Sequence, residues 1–347
     1  MSAEGMINIL ERHKALTVGT PPIPKSLGLK IYAVSNLRGG IGKTSLAFNV
    51  AYEFSRRTSL LVADVCPQCN LTELIFKTSR PGVKLTDALM PRIMGSAFGD
   101  ESHDISYILS DKAEYFKGGK RCYFVPGDPE LFAFPSMLYQ QLNNALARTN
   151  PSAISNLLLS LKTILCKQAE LKGCESILID TSPFYAGGTH LAWAAADALV
   201  VPVRVDENSM YSFEMLLQML SSPKKDFVQW NDRAGGRPSP KVAAIVMTMV
   251  GASTAEPGLP DSASRVYVER ALEIAEKYPV VFPYPEVSDA FVLADDFRGS
   301  GRISGALSIP LTQLTIGEFK RVDRRRLQVN KAIGRYQNQV RYISGML

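Results

Sequence analysis

Short apolar runs rich in β-branched residues alternate with longer stretches of helical periodicity along most of the chain. The predicted strands are 31–36, 60–64, 122–127, 176–181, 198–203, 242–250 and 280–285. The predicted helices are 43–57, 135–148, 152–172, 209–221, 264–277 and a last one at about 317–343. Because such alternation is typical of βαβ units, the pattern predicts an α/β fold: a doubly wound, mainly parallel sheet with helices on both faces.

Breaks in this pattern divide the chain into three parts. Residues 1–28 are predicted to form an N-terminal arm, in which a short helix ends at the Pro-rich stretch GTPPIPKSLG. Residues 29–316 are predicted to form the sheet domain, and residues 317–347 a basic C-terminal helix packed on it. Residues 77–120, rich in turn formers, are interpreted as an excursion from the sheet, and residues 231–240 as a loop.

The composition is that of a soluble globular protein, with 46% hydrophobic and 21% charged residues. No run of about 18 apolar residues is present, and the first residues lack the apolar core and cleavage site of a secretory signal. Five cysteines, an odd number without such a signal, favour reduced thiols over a disulfide framework. We therefore predict a cytoplasmic protein.

A glycine-rich loop follows the first predicted strand, in the stretch SNLRGGIGKTSLAFNV. Its glycines allow a tight turn whose N–H groups point inward, Lys43 can reach phosphate oxygens, and the hydroxyl of Thr44 suits Mg²⁺. The helix that follows directs the positive end of its dipole at a bound anion. The predicted nucleotide-binding residues are Gly39, Gly40, Ile41, Gly42, Lys43, Thr44 and Ser45.

A second element of this site is the apolar strand in LIDTSPF, which ends at Asp180. In a parallel sheet, a carboxylate at the end of such a strand lies beside the phosphate loop, where it can hold Mg²⁺ directly or through water. Thr44 and Asp180 are therefore the predicted metal ligands.

Together these motifs resemble the ParA/MinD group of deviant Walker-motif ATPases. RGGIGKTS, DVCPQCNLT and LIDTSPF correspond to the family motifs KGGxGKT, DxDPQxN and a strand ending in DxPP, and the similarity extends over about residues 30–316. PQCN is nearer the ParA branch. The resemblance implies binding of ATP and Mg²⁺ and a homodimer around two nucleotides. It also implies binding of that dimer to double-stranded DNA without sequence preference, and hydrolysis stimulated by a ParB-like or cargo-adaptor protein.

By the same resemblance, the expected role is partition of a plasmid or chromosome, or positioning of another cargo, by a nucleoid-associated protein. Arg38 stands where the family has a lysine that reaches the partner's phosphates across the dimer. An arginine keeps the charge and offers a planar fork suited to phosphate oxygens, so action in trans is expected of Arg38.

The family's water-activating aspartate is replaced here. In DxDPQxN the first aspartate maps onto Asp64 and the second, catalytic one onto Cys66. A neutral thiol is a poor acceptor, and loss of such a group lowers rates by a factor of about 10²–10⁴. We therefore predict ATP binding with slow hydrolysis, an EC 3.6-type activity, unless Asp64 or a partner supplies the missing function.

Cys66 and Cys69 also form a CxxC pair, so two other chemistries are open. A redox pair is the first, although the flanking PQ and N are explained by the ATPase motif; a redox-sensitive switch on the ATPase is a related possibility. A zinc site is the second, although two cysteines without nearby partners make only half of one.

The last thirty residues carry eight basic and two acidic side chains, which equals the net charge of +6 of the whole chain. Val329, Ile333, Tyr336, Val340 and Ile343 form an apolar stripe for packing, and the basic face is predicted to bind phosphates of DNA. The predicted DNA contacts are Arg302, by family position, and Lys320, Arg321, Arg324, Arg325, Arg326, Lys331 and Arg335. A MinD-like membrane helix is the disfavoured alternative, and a hydrolysis-deficient scaffold is another.

Overall fold

An eight-stranded sheet forms the centre of the computed structural model, which describes residues 3–77 and 79–347. The strands are β1 (Ile31–Val34), β2 (Leu60–Asp64), β3 (Tyr107–Ile108), β4 (Cys122–Val125), β5 (Ser176–Asp180), β6 (Ala198–Arg204), β7 (Lys241–Val250) and β8 (Phe291–Asp295). Their order is β3-β4-β2-β5-β1-β6-β7-β8. Only the edge pair β3–β4 among them is antiparallel. The predicted fold class is confirmed.

Helices cover both faces of this sheet. They are α1 (Ala3–Val18), α2 (Lys43–Ser55), α3 (Asn70–Phe76), α4 (Thr86–Met94), α5 (Leu109–Lys112), α6 (Phe134–Ala147), α7 (Pro151–Leu158), α8 (Ser160–Lys172), α9 (Gly188–Ala195), α10 (Glu207–Ser221), α11 (Asp226–Arg233), α12 (Ser262–Glu276), α13 (Arg298–Leu307) and α14 (Ile333–Gly345). Alternate residues of β1 enter opposite apolar layers: Ile31 and Ala33 one, Tyr32 and Val34 the other. No helix of the described residues has the length and apolarity to cross a bilayer.

The register of the central strands determines where the site forms. Asp180, at the end of β5, is level with Asp64 at the end of β2 and with Val34 at the end of β1. Because parallel strands end at the same edge of a sheet, the loop after β1 and both aspartates are brought together.

The predicted strand at 280–285 is wrong. Residues Pro279–Val281 form a 3₁₀ turn, and the last strand of the sheet is β8. Prolines at 279, 283 and 285 cannot donate hydrogen bonds to a ladder, whereas β8, the run FVLAD, is uninterrupted and fully buried.

The predicted C-terminal helix is wrong in its first half. Residues 319–328 form an antiparallel hairpin of β9 (Phe319–Val322) and β10 (Arg325–Gln328), and α14 begins only at Ile333. Asp323 and Arg324 adopt positive φ angles of 44° and 67°, which no helix accommodates. The apolar stripe is nevertheless buried, from Val329 to Ile343.

Three smaller differences concern the helices and the terminal segment. The predicted helix 152–172 is divided into α7 and α8, residues 77–120 contribute the edge strand β3, and α11 extends into the predicted loop at 231–240. The helix of the predicted arm packs on the sheet domain, since Ile9 and Leu16 are buried. Arg12 Nη1 donates a hydrogen bond of 2.6 Å to the carbonyl of Phe291 in β8.

Candidate nucleotide-binding site

The loop between β1 and α2 surrounds a small cavity of about 180 Å³. Gly40 and Gly42 have φ angles of 70° and 88°, a conformation that favours glycine, and Gly42 precedes the first residue of α2 without a side-chain cap. The lining combines the loop with the ends of β2 and β5: Gly39, Gly40, Gly42, Lys43, Thr44, Ser45, Cys66, Gln68, Asn70, Thr181 and Pro183. Six of the seven predicted nucleotide-binding residues thus share one cavity; Ile41 is buried beside it.

Lys43 is the cation of this cavity. Its Nζ donates a hydrogen bond of 2.6 Å to the carbonyl of Arg38, so the side chain curls back along the loop. Burial lowers the pKa of Lys43 to about 8, and the nearby Asp180 opposes that shift. A phosphate in the cavity would favour the charged form further, because an adjacent anion stabilises an ammonium.

Thr44 and Asp180 supply oxygen ligands at the same place. Thr44 Oγ1 donates a hydrogen bond of 2.8 Å to Asp180 Oδ2, while the buried Asp180 Oδ1 has no protein partner. Burial, reinforced by Asp64, raises the pKa of Asp180 to about 8. An unpartnered buried carboxylate oxygen beside a hydroxyl suits Mg²⁺, whose charge would offset this desolvation. The two predicted metal ligands therefore fit the ion.

Asp64 has a different set of contacts. Its Oδ1 accepts a hydrogen bond of 3.0 Å from the Cys66 backbone, and its Oδ2 accepts bonds of 2.9 and 2.8 Å from the backbone and hydroxyl of Thr72. Burial raises the pKa of Asp64 to about 6, against these hydrogen bonds. Asp64 is not among the lining residues of the phosphate cavity. Its carboxylate instead fixes the turn between β2 and α3.

Cys66 does line the phosphate cavity, at the position where the family motif has its second aspartate. Burial and the neighbouring Asp64 raise the pKa of the Cys66 thiol to about 12, and burial also raises that of Cys69 to about 12. Reactive cysteines have lowered pKa values and partial exposure, whereas both of these are buried. The geometry thus opposes a reactive thiolate and presents a neutral thiol to the cavity.

Arg38 contacts its own chain. Its guanidinium forms an ion pair with Asp206, and its Nη1 donates a hydrogen bond of 2.7 Å to Ser209 Oγ. Asp206 is the N-cap of α10 and also accepts from the Ser209 backbone at 3.0 Å. The arginine predicted to act in trans is therefore bound to α10 in this structure.

A second, larger cavity of about 540 Å³ adjoins the loop, with Gly42 and Ser45 lining both. Its walls are formed by segments far apart in sequence, 41–49, 246–249, 294–304 and Leu311. Sequence reasoning did not identify this cavity, because only the tertiary structure brings these segments together. Its size and mixed apolar and polar walls are typical of small-ligand sites.

The predicted DNA-contacting residues do not form one helical face. Arg302 in α13 lines the larger cavity, Lys331 is exposed before α14, and Arg335 forms an ion pair of 2.7 Å with the buried Asp295. The remaining five lie on the β9–β10 hairpin: Lys320, Arg321, Arg324, Arg325 and Arg326.

Comparison with known proteins agrees with this geometry. The AAA domain family matches residues 29–230, more than half of the chain. The chain belongs to this family. The predicted ParA/MinD-type P-loop ATPase class is thereby confirmed. Comparison with curated proteins gives no match.

Two solved structures show the same fold in other proteins. A variant of McdA from Cyanothece, in complex with ATP, is 16% identical over 82% of this chain and 90% of its own, with a TM-score of 0.56. Protein DIP2308 from Corynebacterium diphtheriae is 16% identical over 76% of this chain and 91% of its own, with a TM-score of 0.57. At this identity the likeness concerns the fold.

Proposed function

We propose that this AAA-domain protein is a ParA-like ATPase that binds ATP and Mg²⁺. The observation that carries the proposal is the pairing of Thr44 with Asp180 beside Lys43, on a glycine loop that opens onto both cavities. The small cavity suits phosphates, and the larger one suits a base and ribose. The ATP-bound McdA structure, which has the same fold, supports this choice of nucleotide.

Each side chain of the loop has a defined role in this proposal. Backbone N–H groups of the loop and the N-terminus of α2 bind the phosphates, and Lys43 neutralises them. Thr44 and Asp180 hold Mg²⁺, which when bound neutralises charge that develops on the phosphates.

Hydrolysis is proposed to be slow, because Cys66 offers a neutral thiol where a carboxylate would orient water. Asp64 uses its oxygens within the turn, so it would have to exchange those hydrogen bonds to act on water. A partner protein of the ParB or cargo-adaptor type is proposed to complete the cycle.

Dimerisation and DNA binding form the second half of the proposal. Arg38 is proposed to leave Asp206 and contact the phosphates of the partner in an ATP-bound homodimer, in the manner of an arginine finger. The dimer is proposed to bind double-stranded DNA non-specifically and so to partition a plasmid or chromosome or position another cargo. Lys331 and the five basic residues of the hairpin are exposed or partly exposed and available for that contact.

One other function is favoured by a specific observation. Because Cys66 lines the phosphate cavity, the chain could serve as a nucleotide-gated scaffold that binds ATP without turnover. Turnover that a cognate partner raises many-fold would exclude this role.

Titration of the protein with ATP, in the presence of Mg²⁺ or of EDTA, tests the proposal. We expect Mg²⁺-dependent binding that falls by roughly 100-fold in Lys43→Ala, since charge-assisted contacts to phosphate are lost. Lys14→Ala, which removes an exposed lysine on α1, is the matched control and should bind as the wild type does. Equal affinity of Lys43→Ala and the wild type for ATP would disprove the assignment of the cavity.

A further inference from the structure

The β9–β10 hairpin has two unlike faces. In an antiparallel ladder, directly opposed residues lie on the same face, and the pairs Phe319–Gln328 and Arg321–Arg326 are opposed. All four of these side chains are exposed. The opposite face carries Val322 and Leu327, which pack against the cluster that includes Ile303 and Tyr336. Their directly opposed neighbours, Arg325 and Lys320, lie on that face as well. The hairpin is therefore seated by one face and offers the other to a partner.

The hairpin carries a concentration of positive charge, of which Arg321 and Arg326 lie on the outer face and Arg324 at the tip. Lys320 forms an ion pair of 2.5 Å with Glu318. No ion pair within the described residues involves the four arginines of the hairpin: Arg321, Arg324, Arg325 and Arg326. Arg335 and Arg341 differ, since they pair with Asp295 and Glu53. Four guanidinium groups without an ion-pair partner on one ribbon favour the binding of an extended anionic ligand.

The tip of the hairpin places an arginine where glycine is favoured. Asp323 and Arg324 form its two-residue turn, both with positive φ. Turns of this kind usually have glycine at one of these positions, because the left-handed region is disfavoured for other residues. Here the second position projects the exposed Arg324 from the end of the ribbon.

The base of the hairpin is fixed to a helix that also lines the larger cavity. The Asn330 backbone donates a hydrogen bond of 3.0 Å to Ser300 Oγ in α13, and Gln328 Nε2 donates one of 3.2 Å to the carbonyl of Gly317. Helix α13 contributes Gly301 and Arg302 to the wall of that cavity. The hairpin is thus anchored to a helix next to the proposed nucleotide site.

We propose that the hairpin Phe319–Gln328 is the element through which this protein contacts duplex DNA, with the arginines of its outer face and tip on the phosphates. This inference rests on the proposed function, which names duplex DNA as the anionic partner. The planar fork of arginine suits phosphate oxygens, and contacts to phosphates carry no sequence preference, in agreement with non-specific binding.

A lipid surface fits these observations less well. Phe319 of the outer face remains exposed, and the guanidinium carbon of Arg326 lies 4.0 Å from its ring centroid. The outer face therefore carries one apolar side chain beside two arginines, a charge-rich pattern that matches a phosphate backbone better than a membrane interface.

The test compares two triple variants with equal loss of charge. One is Arg321→Gln, Arg324→Gln, Arg326→Gln; the control is Lys14→Gln, Arg148→Gln, Lys224→Gln, which changes exposed residues outside the hairpin. Binding of a random-sequence duplex is measured with ATP and Mg²⁺ across a salt series. We expect the hairpin variant to bind at least about ten-fold more weakly. Its salt slope should be smaller by about three, while the control stays near the wild type.

ATP titration of each variant serves as the folding check, and Arg321→Lys, Arg324→Lys, Arg326→Lys should restore most of the affinity for DNA. If the hairpin variant binds duplex DNA as tightly as the wild type does, this inference is overturned and the proposed function still stands. Absence of wild-type binding with ATP would overturn both. Binding to phosphatidylglycerol vesicles that requires the hairpin arginines, with DNA binding that does not, would also overturn it.

Discussion

The phosphate loop and the basic hairpin are both dense in chemically informative residues, yet they are built in opposite ways. The loop is a contiguous stretch in which glycine, lysine and threonine have positions fixed by the strand before and the helix after. The basic segment has apolar and charged residues compatible with either a helix or a ribbon. Its form depends on the turn at Asp323 and Arg324 and on the cluster that Val322 and Leu327 join. A local motif therefore specifies a local geometry, whereas a charge pattern specifies only that charge is present.

Replacing Cys66 tests whether hydrolysis at the phosphate loop is limited by the missing carboxylate at this position. We expect Cys66→Asp to raise ATP turnover by a factor of about 10²–10⁴, because a carboxylate orients water in the phosphate cavity better than a neutral thiol. Steady-state phosphate release measures this effect. Cys66→Asn is the matched control, since it has nearly the same shape and no charge. Equal rates in the two variants would mean that the side chain at this position does not limit hydrolysis.

The two aspartates at the strand ends are expected to serve different purposes, Asp180 in binding of ATP with Mg²⁺ and Asp64 in stability of the fold. We expect Asp180→Asn to weaken Mg²⁺-dependent ATP binding by roughly 100-fold with little effect on the unfolding of the free protein, because Asp180 Oδ1 has no protein partner. Asp64→Ala should lower the free energy of unfolding by about 2–4 kcal/mol, because it leaves three buried donors of Cys66 and Thr72 unpaired. Urea unfolding and ATP titration of both variants distinguish the roles; the reverse assignment of effects would contradict the geometry.

A single change at the hairpin tip produces the smallest expected effect. Arg324→Gly should raise the free energy of unfolding by about 1 kcal/mol, since glycine adopts the positive φ without strain. It should also reduce the salt slope of DNA binding by about one. Arg324→Ala loses the same charge but keeps the backbone cost, so it should show only the second effect. A stabilised glycine variant with an unchanged salt slope would mean that the tip does not contact phosphates.

Much of the fold and of the loop was predictable from sequence. The strands at 31, 60, 122, 176, 198 and 242 were found because each is a short, buried apolar run, and parallel pairing follows from the helices between them. The prediction of a strand at 280–285 was wrong because it followed apolar content, whereas the prolines of this segment cannot donate hydrogen bonds to a ladder. The resemblance to the ParA/MinD group aligned Cys66 with the water-activating aspartate, and Cys66 lines the phosphate cavity.

The sequence by itself determined the loop, its lysine and threonine, and the aspartate at the end of the neighbouring strand, because each lies where a strand ends and its position depends on local backbone geometry. Only the tertiary structure decided that Asp64 bonds Thr72 and that Arg38 pairs with Asp206. It also decided that four segments enclose the larger cavity and that the basic residues divide between a hairpin, a cavity wall and a buried ion pair. The physical reason is the same in each case: these contacts join residues far apart in the chain, and their partners are set by how the elements pack.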